Sequence, residues 1–91
     1  MSKKNEEMKI NISDEIAEGK FATITMISST EDHFILDFIK LYIGQTKGNV
    51  ISRILITPKH LKRLINVLSQ EMKNFEDKYE EIKIEKNEKN D

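Results

Sequence analysis

Ninety-one residues with no cysteine and a net charge of −1 leave room for one small domain and exclude disulfides. Two histidines are too few for the usual structural zinc site, built from about four Cys or His ligands. No apolar run approaches the roughly 18 to 20 residues that span a membrane, and the Lys-Lys-Asn-Glu-Glu start has no apolar stretch behind it. A cytoplasmic protein with no membrane partner is expected.

Residues 1–7 and 83–91 are almost wholly Lys, Glu, Asn, Asp and Ser, which predicts disordered tails around a single domain at 8–82. A core of roughly 75 residues buries only about 60% of its unfolded surface, so it needs outside support. With cysteine and zinc set aside, association is the remaining source. Charge is segregated along the chain: residues 1–37 carry four Lys against eight acids, 38–70 carry six Lys or Arg and no acid, and 71–91 carry five Lys against eight acids. A mixed-charge surface that keeps the protein soluble accounts for this, and so does a basic patch facing an anionic partner.

In chain order, Met8, Ile10 and Ile12 alternate with Lys9, Asn11 and Ser13, the pattern of a short strand with one buried face. Asp14 to Gly19 is a connection with space for one helical turn. Phe21 to Ser28, rich in β-branched residues, predicts a second strand. After the polar turn at 28–32 comes His33 to Ile43, whose two faces are both apolar: Phe34, Leu36 and Phe38 on one, Ile35, Ile39, Leu41 and Ile43 on the other. A third strand is expected to run to about Tyr42. Gly44 to Asn49 reads as a hairpin loop, and Val50 to Ile56 as a fourth strand.

Thr57-Pro58 marks the clearest boundary, since a threonine hydroxyl caps the free N–H groups of a first turn and proline at the first helical position forfeits none. The helix expected over 57–82 has a wide apolar stripe from Leu61 to Leu68, then a narrow seam of Met72, Phe75, Tyr79 and Ile82. At roughly 37 Å it would overhang strands of about 20 to 26 Å. The predicted fold is therefore α+β, a four-stranded antiparallel meander sheet followed by one long C-terminal helix. That helix covers one sheet face. The other face and the overhang become a homodimer or dimer-of-dimers interface formed by Ile35, Ile39, Leu41, Ile43, Met72, Phe75 and Tyr79.

No catalytic, cofactor or metal site is expected. Asp37 lies in the most apolar strand, where an ionised carboxylate needs a partner, and Arg53 in the next strand is the natural one for a structural pair. Asp32, His33 and His60 have no spacing that brings them together, and Gly44 to Gly48 lacks the Gly-Lys-Ser/Thr ending of a phosphate loop. Lys47, Arg53, Lys59, Lys62 and Arg63 form the candidate contact for an anionic partner. Lys59, Lys62 and Arg63 oppose the positive end of the helix dipole, and negative charge on a partner would relieve that.

Three segments, Glu18-Gly19-Lys20-Phe21-Ala22, Phe34-Ile35-Leu36-Asp37-Phe38 and Arg53 to Leu64 with its Thr57-Pro58-Lys59-His60 core, together resemble the small prokaryotic family known as domain of unknown function 3467. The resemblance spans about residues 8–82 and brings no activity with it. Four strands followed by a helix is also similar to the order in the export chaperone SecB, which implies an assembling, chaperone-like protein with apolar or unfolded segments as clients. The expected function is thus a non-enzymatic oligomeric binding or assembly protein. A nucleic-acid-associated role for the basic 38–70 segment is the alternative.

Overall fold

The cap and three of the four alternating segments yield the elements their patterns imply. The computed structural model describes residues 7–85, in the order α1 (Asp14–Glu18), β1 (Ile24–Ser29), β2 (Phe34–Leu41), β3 (Gly48–Ile56) and α2 (Pro58–Lys78). The strands form a three-stranded antiparallel sheet in the order β1-β2-β3, neighbours joined by short loops that only antiparallel pairs allow. The expected tails at 1–6 and 86–91 lie outside the described residues; Glu7 and residues 83–85 belong to no helix or strand.

The first of the four expected strands, Met8–Ile12, is absent from this sheet. Alternation gives a strand its face and says nothing of its pairing edge. Ser13 turns the chain away into α1: its side chain accepts a hydrogen bond from the Ile16 N–H at 3.2 Å. Gly19 then closes α1 at φ 78° and ψ 169°, a conformation almost reserved for glycine.

β1 begins at Ile24, three residues later than predicted, and just before it Thr23 pairs with β2 through both its backbone and its side chain. Its N–H donates to the Ile39 carbonyl at 2.8 Å, while its hydroxyl donates to the same oxygen at 3.2 Å and accepts the Leu41 N–H at 2.9 Å. β2 ends at Leu41, since the Gln45 N–H bonds back to the Tyr42 carbonyl at 3.0 Å and Gly44 takes a φ of 81°. Ile43 therefore sits in a turn, fully exposed, rather than on a strand face. β3 starts early, at Gly48, for a steric reason. A side chain there would come within 2.9 Å of Ile39 Cγ2, so only glycine lets the strands meet at this point.

α2 opens as its sequence implies, with Thr57 Oγ1 accepting the His60 N–H at 3.1 Å and Pro58 in the first turn. It stops at Lys78, short of the predicted Ile82. Glu76, Asp77, Glu80 and Glu81 crowd the negative end of the helix dipole, and the Ile82 N–H turns back to the Glu76 carboxylate at 2.9 Å. Two compact units result, one from residues up to 26 with 37–52 and one from 27–36 with 53 onward. Among the described residues, Leu36 and Ile56 are the buried apolar residues of the second unit and Ile39 that of the first.

Candidate interaction surfaces

In the unit that contains α2, burial stops early along the helix. Leu61 and Leu64 are half-buried, whereas every apolar side chain from Ile65 to Ile82 is between 44% and 63% exposed. The seam nevertheless has internal order: the Phe75 and Tyr79 rings stack at 4.8 Å with a 48° tilt, and Lys78 lies over the Tyr79 ring at 5.4 Å. Lys73 pairs with Asp77 one turn on at 3.1 Å, on the solvated side. Near the helix start, Phe34, Pro58, Leu61 and Ile65 line an open apolar groove of about 370 Å³, with Lys62 and Asn66 on its rim.

The other unit carries a second groove of about 420 Å³, in which Ile16, Ala22, Phe38 and Ile51 supply apolar walls and Glu15 and Lys20 charge. Met8, Ile10, Ile12 and Phe21 of the same unit are 63% to 85% exposed. The alternation of 8–12 predicts a place in the sheet, and the exposure of its apolar residues departs from that expectation.

The predicted interface residues differ in their surroundings. Ile39 is buried, only 8% exposed, Ile35 and Leu41 are half-buried, and Ile43, Met72, Phe75 and Tyr79 are exposed. Of the anionic-contact candidates, Arg53, Lys59, Lys62 and Arg63 are exposed in the α2 unit, and Lys47 is exposed in the other. The first turn of α2 holds no acid. Asp37 is half-buried, and neither it nor Arg53 is without a partner.

A Thr30, Asp32 and His33 cluster at the β1-β2 turn has the residue types of a catalytic relay but a different geometry. Thr30 Oγ1 lies 3.1 Å and Asp32 Oδ1 2.6 Å from the same ring nitrogen, Nδ1 of His33. A relay passes a proton through opposite nitrogens, so this arrangement orders a turn. Thr30 also accepts the Asp32 and His33 N–H groups, at 3.3 and 3.2 Å, and its own N–H donates to the His33 carbonyl at 2.9 Å. The hydrogen bonds from His33 and then Thr30 hold the Asp32 carboxyl below its ordinary pKa. Among the described residues no group of three or more His, Cys, Asp or Glu side chains is placed to hold a metal ion, and no helix is long and apolar enough to cross a membrane.

The profile of a family described as protein of unknown function, DUF3467, matches residues 1–84. The chain belongs to the DUF3467 family. Two of the segments by which its sequence resembled DUF3467 now have a structural reason, Gly19 for its backbone conformation and Thr57-Pro58 for the cap of α2. No curated protein and no solved structure matches the chain. The likeness to SecB rested on four strands, and this sheet has three.

Proposed function

We propose that this DUF3467 protein is a non-enzymatic, cytoplasmic binding or assembly protein that works as a homodimer or dimer of dimers. The observation that carries the reading is the contrast between three buried apolar side chains among the described residues, Leu36, Ile39 and Ile56, and a seam left at 44% to 63% exposure, with Met72 and Phe75 on a well-capped helix and Tyr79 and Ile82 just past its end. Exposed apolar surface of this kind marks interaction sites. A second copy is the first occupant of the seam, and apolar or unfolded segments of a client protein are the cargo of a chaperone-like role.

Sedimentation of the chain at micromolar concentration is expected to give a dimer or tetramer. The double variant Met72→Glu with Phe75→Glu should shift it towards monomer while leaving helical circular dichroism in place. A wild-type monomer would sink the proposal. For the client role, the protein should suppress aggregation of an unfolded substrate, and an equal effect from the double variant would remove that part.

The acid-free first turn of α2, with Lys59, Lys62 and Arg63 exposed, favours a nucleic-acid-associated role as the second reading. Titration of labelled DNA and RNA should then show affinity falling steeply with salt, and Lys62→Glu with Arg63→Glu should abolish it. Absence of binding at low salt removes this alternative.

A further inference from the structure

The segment Met8–Ile12 has a strand's pattern and no strand to pair with. It belongs to no helix or strand, and Met8, Ile10 and Ile12 are 82%, 81% and 63% exposed. At the same time β1 is an edge strand, neighbour to β2 alone, and all six of its residues are exposed. Natural edges are guarded by lysine, proline, bulges or inward charges. β1 reads Ile-Thr-Met-Ile-Ser-Ser and carries none of these. A five-residue apolar arm and a six-residue unguarded edge are matched in length and in what each leaves unsatisfied.

We propose that Met8–Ile12 of one copy adds as a fourth strand to β1 of a second copy, and that the exchange is reciprocal. The proposal deepens the assembly reading and rests on it. Charge sets the direction. An antiparallel arm directs the acids that follow it, Asp14 and Glu15 of α1, towards the side of Lys20, four residues before β1; a parallel arm would direct them towards Glu31 and Asp32 beyond its end. With even-numbered residues on a shared face, Ile12 lies opposite Ile24 and Ile10 opposite Met26, which pairs two exposed apolar side chains of each segment. Closure onto the arm's own β1 would need the reversal that α1 and Gly19 provide, yet the isolated chain leaves the arm unpaired. A second copy is the occupant that supplies an identical edge and takes an identical arm in return.

Because the chain has no cysteine, introduced thiols are the only ones present. Ile10→Cys and Met26→Cys variants of the full chain, purified separately, mixed and mildly oxidised, should give a disulfide-linked dimer joining one of each, in clear excess over either self-linked product. The double variant should also link between chains. Both positions are exposed, so neither substitution threatens the fold. An intramolecular disulfide in the double variant, or no excess of the mixed dimer from a wild-type-like oligomer, would overturn the exchange and leave the assembly reading standing. A monomeric wild-type chain in the accompanying sedimentation run would overturn both.

Discussion

At the scale of single residues, Gly48 and Thr23 matter more than their chemistry suggests. A methyl group at Gly48 would sit 2.9 Å from Ile39 Cγ2, 3.4 Å from the Lys40 carbonyl and 3.5 Å from Leu41 Cδ1. The nearest atom is a branch of a buried β-branched side chain with little freedom to yield. Gly48→Ala is therefore expected to cost about 1 to 3 kcal/mol, read as a lowered midpoint in urea denaturation; an unchanged midpoint would refute the close approach. Asp32 gives a pH prediction. Its carboxyl is held below the ordinary value of 3.8, so its contribution is complete above that value and is lost as pH falls through the lower folded one. Melting curves from about pH 6 to about pH 2 should show wild type and Asp32→Asn converging only below about pH 4. The sequence offered no sign of either effect. Gly48 reads in sequence as one of two loop glycines, Thr30 and Asp32 as turn residues and His33 as the start of a strand, and nothing in their order shows the shared contacts at Nδ1 of His33.

At the scale of elements, what the sequence revealed depended on whether the signal was local. Thr57-Pro58 names the start of α2 because cap and proline act within one turn, and the resulting bond from His60 to Thr57 at 3.1 Å follows directly. Thr57→Ala should destabilise the protein by about 1 kcal/mol, with Thr57→Asn near neutral, as measured by thermal melting. A loss equal for both would argue against capping. Three strands were legible from alternation and β-branched residues. Their ends were not: just before β1, Thr23 pairs with β2 through its side chain as well as its backbone, and Gly44 stopped β2 with a turn. The alternating segment at 8–12 shows the limit most plainly, since pairing is a property of two strands and only one of them was being read. The end of α2 was misplaced for a related reason. The apolar seam continues to Ile82, but acids at the last turn and the Ile82 to Glu76 bond end the helix at Lys78.

At the scale of the whole molecule, the apolar seam and the interface candidates were legible as residue types, whereas their exposure was not. Ile39 is buried and Ile43 lies in a turn, while the arm at 8–12 and Phe21, whose patterns predict strands, are exposed. If association supplies the missing burial, stability becomes a property of concentration. The melting temperature should then rise with each tenfold increase in protein, whereas a lone folded domain would show no dependence. The uncharged edge of β1 extends that point from thermodynamics to handling and to the cell. Its sequence has the low charge and β-branched content of segments that stack into fibrils, and it is safe only while something lies along it. If a second copy covers that edge, the vulnerable species is the freshly made or highly diluted single chain, and solubility then depends on how quickly two copies meet.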